Sequence, residues 1–158
     1  MSEQDVVRGV NFARDQGLEV AIRSGGHSGA GLGSVDDGLV LDLSEMKKIE
    51  VDPQSRTALI EAGNTLKEID LVTHQHGLAL PMGIIGTTGI GGLCLGGGIG
   101  YLSRKGGLCV DNLLEARVVL ASGEVVTASE ESHPRLFWAL RGGGGNFGVV
   151  VSFKFKLL

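Results

Sequence analysis

Most glycines of this chain stand in three blocks, and no other feature of the sequence constrains its folding as much. The chain has 27 glycines, of which five lie in residues 25–33, eleven in 83–107 and five in 142–148. Glycine has no Cβ and adopts positive φ freely, so such blocks form loops whose backbone N–H groups can turn together. Because converging N–H groups bind anions, these loops favour a phosphate-bearing ligand.

The same regions lack negative charge. No Asp or Glu occurs between Ser24 and Val35, between Met82 and Val110, or from Leu140 onward, although the whole chain carries a formal net charge of −4. A carboxylate beside a phosphate raises the Coulomb energy of both groups, so loops without Asp and Glu favour an anionic ligand. The alternative is a set of flexible surface loops, but such loops usually contain Asp, Asn and Ser freely.

The first block has the sequence RSGGHSG at residues 23–29, and a predicted strand over 18–22 leads into it. A simple phosphate-binding loop has no need of an imidazole, so His27 indicates a more specific function. The segment resembles the loop of FAD-linked oxidases with a PCMH-type flavin domain, a group that includes berberine-bridge-like and sugar oxidases. In that family the loop binds the FAD pyrophosphate, and its histidine is bonded to the 8α-methyl group of the flavin. The resemblance therefore implies FAD held covalently through His27.

The second and third blocks resemble the same family. Residues 86–92 (GTTGIGG), 96–100 (GGGIG) and 104–112 (RKGGLCVDN) are similar to segments whose backbone faces the pyrophosphate and flavin. Residues 136–150 (LFWALRGGGGNFGVV) are similar to a segment that runs along the adenosine half of FAD. Together the three blocks extend the resemblance over nearly the whole chain. The FAD-binding residues that it implies are Arg23, Ser24, Gly25, Gly26, His27, Ser28, Gly29, Gly86, Thr87, Thr88, Gly89, Gly91, Gly92, Gly97, Gly98, Asn112, Val149 and Val150.

Residues 143–148 also match the formal pattern G-x-G-x-x-G. A dinucleotide fingerprint of this kind must follow a strand and open a helix. Here a predicted helix precedes the pattern and a predicted strand follows it. The context therefore excludes a Rossmann fold.

Two positions depart from the family. Some members carry a cysteine that bonds the flavin C6, and Ile85 stands at that position in this chain. Thr88 occupies a position that is often Val in the family and influences oxygen access, so the resemblance leaves the electron acceptor open. Cys94 and Cys109 lie among apolar residues, and we predict two buried free thiols that bond neither to flavin nor to each other.

The predicted elements are of mixed order, which favours an α+β fold. The resemblance makes this more specific, implying a PCMH-type FAD-binding domain of two small mixed α/β subdomains with FAD between them. Periodicity and turn signals predict helices and strands along the whole chain. The helices are 3–16, a segment from 64 or 65 to 77, and 132–140; the strands are 18–23, 38–43, 48–51, 57–61, 113–120, 124–127 and 149–157.

Length and composition limit the number of domains and the classes of partner that this chain can have. We expect residues 1–158 to form a single domain, a partial protein that lacks the substrate domain. No basic run with interleaved aromatics occurs, which argues against nucleic acid, and no apolar stretch approaches the ~20 residues of a membrane span. The polar, acidic N-terminus differs from a secretory signal, so we expect a cytoplasmic protein.

His74 and His76 stand two residues apart on a predicted helix, where they face different directions, so we expect solvent exposure and no metal site.

The leading functional hypothesis is the FAD-binding part of a flavin-dependent oxidoreductase. The resemblance implies hydride transfer from a C–H bond of a small-molecule substrate (an alcohol, a sugar or a secondary metabolite) to covalently held FAD. The sequence indicates no catalytic base, and we expect the chain alone to be inactive and to self-associate through an exposed flavin face. One alternative is a non-catalytic flavin- or nucleotide-binding module. Another is a phosphate-binding enzyme in which His27 acts as general base.

Overall fold

The computed structural model describes residues 1–158 and contains two β-sheets packed with five α-helices. The elements are α1 (Glu3–Gln16), β1 (Val20–Arg23), β2 (Leu39–Asp42), β3 (Ile49–Asp52), β4 (Thr57–Glu61), α2 (Leu66–His74), α3 (Ile90–Leu95), α4 (Ser103–Gly106), a 3-10 turn (Val110–Asn112), β5 (Leu113–Val119), β6 (Val125–Ser129), α5 (Pro134–Leu140) and β7 (Val149–Lys156). The larger sheet is antiparallel, with strand order β3-β4-β7-β5-β6, and the smaller one pairs β1 with β2 in parallel. This mixture confirms the predicted α+β class.

Local signals account for the first helix. Ser2 and Asp5 form a reciprocal capping box at its start, which satisfies backbone N–H groups that have no partner within the helix. Gly17 ends α1 in the left-handed conformation with φ 65°, where a side chain would be strained. Val6 and Val10 lie on one stripe of the helix and are buried in the core, as their spacing predicts.

Strand β7 is the central strand of the larger sheet, between β4 and β5. Its alternating residues Phe153, Phe155 and, one residue past the strand, Leu157 are each no more than 1% exposed. Because alternate residues of a strand face the same side, this pattern places β7 against the core. The hairpin of β3 and β4 closes where Asp52 accepts the N–H groups of residues 54 and 55, between the two strands predicted at 48–51 and 57–61.

The structure differs from the predicted elements in two places. The second glycine block was predicted only as loop, but it contains α3 and α4. Helix α3 forms because Ile90 and Cys94 are fully buried in the core, and this packing outweighs the low helix propensity of glycine. Helix α2 ends at His74 rather than near Gly77, because the N–H groups of His76 and Gly77 turn back to carbonyls three residues earlier.

The prediction that His74 and His76 share a helix is therefore wrong, whereas their predicted exposure is confirmed. No group of three His, Cys, Asp or Glu side chains that could hold a metal ion occurs in the structure. None of the helices combines the length and the apolar character that crossing a membrane requires.

Candidate functional site

The loop that follows β1 carries a run of unpaired backbone donors. The N–H groups from Ser24 to Ala30 donate no hydrogen bond within the protein. The residues from Gly26 to Ala30 are exposed, so these donors are open to water or to a ligand. Such a row of N–H groups presents partial positive charge to an anion.

Arg23 adds a full positive charge to this loop. Gly26 has φ 70°, and a Cβ placed there would lie 3.2 Å from Nε of Arg23, so the guanidinium lies directly against the loop backbone. Nε of Arg23 is also 4.0 Å from Asp42 at the end of β2. The N–H and then the hydroxyl of Ser44, with a smaller effect from Arg23, lower the pKa of Asp42, so this carboxylate stays charged and orients the arginine.

The first and second glycine loops meet backbone to backbone. A Cβ on Gly25 would overlap the backbone of Gly89, and a Cβ on Gly89 would overlap the backbone of Gly25. A Cβ on Gly91 would lie 3.2 Å from the side chain of Ser24. Glycine is therefore required at Gly25 and Gly89 because the backbones of the two loops approach closely. The need to bind a ligand is not the only reason for glycine at these positions.

The segment 62–67 holds both loops in place. Ser24 donates its hydroxyl to the carbonyl of Ala62 at 2.6 Å, and the N–H of Ala62 donates to the carbonyl of Val151 in β7 at 2.9 Å. On the other side, Leu66 donates to the carbonyl of Thr88 at 3.0 Å. Sequence reasoning did not identify Ala62, because nothing in its local sequence marks a residue that joins distant loops through its backbone.

His27 projects from the first loop toward the second. Its Nε2 lies 3.0 Å from Oγ1 of Thr87, although 60 positions separate the two residues in the chain. Both side chains are exposed. The structure thus brings two of the predicted site residues into direct contact.

Gly97, Gly98 and Asn112 have structural contacts of their own. The carbonyls of Gly97 and Gly98 accept the N–H groups of residues 110 and 109 at 3.0 and 2.8 Å. Asn112 is buried, and its side-chain nitrogen donates to the carbonyls of Gly106 and Leu108 at 2.8 Å each. These contacts stabilise the turn after the second block, so any part that these residues have in ligand binding stays a prediction.

The third block contacts the end of α3. The N–H groups of Gly142 and Gly144 both donate to the carbonyl of Leu95 at 3.1 Å. Val149 and Val150 follow as buried residues of β7, paired with β5. The block lies between a helix and a strand, which confirms that it is not a Rossmann turn. No hydrogen bond links Val149, Val150 or Asn112 to the first loop.

An exposed apolar surface adjoins Thr87. Residues 82–83 and 100 run side by side, since a Cβ on Gly100 would overlap the carbonyl of Met82. Next to these positions, Ile84, Ile85, Ile99 and Tyr101 are 57%, 53%, 76% and 87% exposed. A Cβ on Gly29 or on Gly92 would meet no other atom within 4 Å, so there is open space beside both residues. Free N–H donors, one arginine and an apolar surface beside His27 match a ligand with a diphosphate and a flat ring system. Arg104 and Lys105 are exposed.

Comparisons with known proteins also indicate a domain that binds FAD. The family described as "FAD binding domain" matches residues 1–129. Among solved structures, 6-hydroxy-D-nicotine oxidase from Arthrobacter nicotinovorans superposes with a TM-score of 0.97 at 42% identity, over 99% of this chain and 34% of that one. BBE-like 1 from Physcomitrella patens gives a TM-score of 0.96 at 36% identity, over 99% of this chain and 35% of that one.

A third match is glucooligosaccharide oxidase from Acremonium strictum, with a TM-score of 0.94 at 38% identity, over 99% of this chain and 34% of that one. The FAD of that enzyme is described as 6-S-cysteinyl and 8α-N1-histidyl. This chain spans about a third of the length of the curated relatives it matches.

Proposed function

Because this chain belongs to the family of FAD-binding domains of FAD-linked oxidoreductases, we propose that it holds FAD covalently within an enzyme that takes hydride from a substrate C–H bond. The substrate class is an alcohol, a sugar or a secondary metabolite. The family, the PCMH-type fold and FAD as cofactor agree with the sequence predictions. The observation that carries the proposal is His27, placed by two carboxylate-free glycine loops against Thr87.

The chain has the groups needed to bind and orient FAD. The free N–H groups of the first loop, with Arg23 beside them, would hold the pyrophosphate. The apolar side chains of Ile84 and Ile99 would lie against the flavin ring and exclude water from it. When bound, FAD supplies the hydride-accepting chemistry, and the protein contributes position and electrostatics.

His27 is the residue that would form the covalent bond. The new bond joins a ring nitrogen of His27 to the 8α-carbon of the flavin, and one methyl C–H and one imidazole N–H bond are lost. Forming this bond would release two electrons and two protons, which the bound flavin would transfer to a two-electron acceptor such as dioxygen. No carboxylate of residues 24–35 or 83–109 competes with the flavin for the imidazole.

Attachment through His27 alone is expected, without a second bond to sulfur. Ile85 stands where a cysteine bonds the flavin C6 in some family members. Cys94 is fully buried, and this burial, with a smaller effect from neighbouring Cys109, raises the pKa of its thiol well above the ordinary value. Since the thiolate is the reactive form of cysteine, Cys94 is unsuited to attack the flavin.

We further propose that the isolated chain turns over no substrate. Tyr101 is its single tyrosine and stands 87% exposed, with no carboxylate in the surrounding block. A catalytic base would come from a substrate domain outside residues 1–158, and the exposed apolar surface beside Thr87 favours self-association of the isolated chain. Anaerobic mixing with sugars and alcohols should therefore leave the flavin absorbance unbleached. Bleaching at roughly 1 s⁻¹ or faster would contradict this part of the proposal.

Acid precipitation of protein produced with riboflavin tests the covalent link. Oxidised flavin absorbs near ~450 nm, and the wild-type pellet should keep this absorbance after washing. The His27→Ala pellet should be colourless, whereas the control variant His76→Ala, altered at an exposed turn, should match the wild type. A colourless wild-type pellet would refute the covalent link. A protein that binds no flavin at all would favour the phosphate-binding alternative.

A further inference from the structure

We propose that Thr87 is a positioning residue that directs flavin attachment to Nδ1 of His27. This inference rests on the proposed covalent link. Nε2 of His27 lies 3.0 Å from Oγ1 of Thr87, and neither side chain makes any other hydrogen bond in the protein. Nδ1 is thus the free nitrogen of an exposed ring, and Nε2 is the occupied one.

Thr87 is anchored more firmly than the histidine that it contacts. The N–H of Thr88 donates to the carbonyl of Ile85 at 3.0 Å, and the carbonyls of Gly86 and Thr88 accept N–H groups from residues 67 and 66 at 2.9 and 3.0 Å. By contrast, the N–H groups around His27 have no partners within the protein. A fixed hydroxyl therefore orients an imidazole carried by a less constrained loop.

A hydroxyl suits both states of the imidazole, because it donates one hydrogen bond and accepts others. Before attachment, Nε2–H donates to Oγ1 of Thr87, and the lone pair of Nδ1 is free to bond with the 8α-carbon. Afterwards, Nε2 has given up its proton toward the flavin by way of water or Thr87, and it accepts the threonine O–H instead. The exchange leaves the imidazole neutral and still bonded to Thr87.

Selection of one ring nitrogen has a parallel in a similar structure. In glucooligosaccharide oxidase the histidyl bond is named as 8α-N1, a single nitrogen of the ring. A hydrogen-bond partner that occupies the other nitrogen would produce such selection. Without Thr87 both nitrogens of His27 would be open, because no other side chain contacts the ring through a hydrogen bond.

Three variants separate this role from general stability. Thr87→Val keeps the shape of the side chain but removes the hydroxyl, and Thr87→Ser restores the hydroxyl. Thr57→Val serves as the control, because it removes a comparable side-chain hydrogen bond, to Ser55 at 2.9 Å, on the remote strand β4. Flavin-free protein is mixed with FAD, and acid-stable flavin is measured over time beside the non-covalent dissociation constant. The histidyl flavin is then released by proteolysis, and its attachment atom is identified by NMR.

Loss of a neutral hydrogen bond predicts that Thr87→Val links FAD about five- to tenfold more slowly when compared with wild type at saturating FAD, so that any change in FAD affinity does not contribute to the difference. Its product should contain both the Nδ1 and the Nε2 isomer. Thr87→Ser and Thr57→Val should give the Nδ1 isomer alone at the wild-type rate. Equal rates and a single Nδ1 isomer in Thr87→Val would overturn the role of Thr87 and leave the covalent link standing. A wild-type protein that binds FAD but never links it would overturn the covalent link, and the role of Thr87 with it.

Discussion

Replacing Gly89 by alanine tests whether contact between the two glycine loops builds the site. Gly89 has φ −77° and ψ 141°, a conformation that alanine adopts without strain, so the effect isolates the steric overlap. The added Cβ would overlap the backbone N of Gly25 and the hydroxyl oxygen of Ser24, and it would lie 2.8 Å from Cα of Gly25. The Ser24 side chain can rotate away, but the Gly25 backbone has no rotamer to change, so the loops must separate.

The magnitude follows from this overlap. Forcing an extra methyl group into a filled contact costs about 1–3 kcal/mol. In a domain of this size each kcal/mol lowers Tm by roughly 2–4 °C, so Gly89→Ala should melt roughly 2–12 °C below wild type. Separation of the loops also moves the N–H donors of residues 24–29 away from Thr87, and FAD binding should weaken by about tenfold or more.

Gly92→Ala, within the helix α3 that Gly89 caps, is the matched variant. A Cβ on Gly92 meets no atom within 4 Å, and alanine favours a helix over glycine, so its Tm should equal or exceed that of wild type. Thermal unfolding followed by circular dichroism, without FAD, compares the two variants. If Gly89→Ala melts within about 1 °C of wild type and binds FAD equally well, the loop contact does not build the site.

Three further predictions concern stability and reactivity. Burial by itself raises the pKa of Glu68, but hydrogen bonds from Lys47 and Thr65 outweigh this effect and lower the pKa to about 2. The charged carboxylate therefore stabilises the folded state above pH ~4.5. This contribution is lost as the pH falls toward about 2. Since this carboxylate is 42% exposed, Glu68→Gln should lower the free energy of unfolding by only about 1 kcal/mol at pH 7. The loss of unfolding free energy should be smaller in acid. An equal loss at both pH values would contradict the lowered pKa of Glu68. Thiol titration should find both cysteines unreactive in the native protein and two free thiols after denaturation, whereas a missing thiol would refute the predicted free state. Ser24→Ala removes the 2.6 Å bond to Ala62 and should cost about 1 kcal/mol in urea unfolding; an unchanged midpoint would show that this bond does not anchor the loop.

Much of the fold could be predicted from the sequence because its signals are local. Ser2 and Gly17 mark the ends of α1, and the turn at Asp52 joins β3 to β4. Alternation over residues 151–157 identifies β7 by its half-buried pattern. Each of these signals acts within a few residues, where side-chain hydrogen bonds and backbone preferences alone decide the conformation.

The sequence by itself also determined the chemistry of the ligand loops. Clustered glycines without Asp or Glu favour loops that bind an anion, so an anionic ligand could be inferred before the structure was known. The position of His27 within the first loop is equally a property of the chain. The sequence alone does not determine which side chain the imidazole contacts.

Only the tertiary structure decided which loops meet. The approach of Gly25 to Gly89, and of His27 to Thr87 across 60 residues of chain, depends on how β1, β7 and residues 62–67 pack. Packing also made a helix of glycine-rich residues 90–95, against their intrinsic preference, because burial of Ile90 stabilises more than glycine costs. Contacts of this kind join atoms that no local spacing relates, since their free energy comes from apolar surface and hydrogen bonds shared between distant segments.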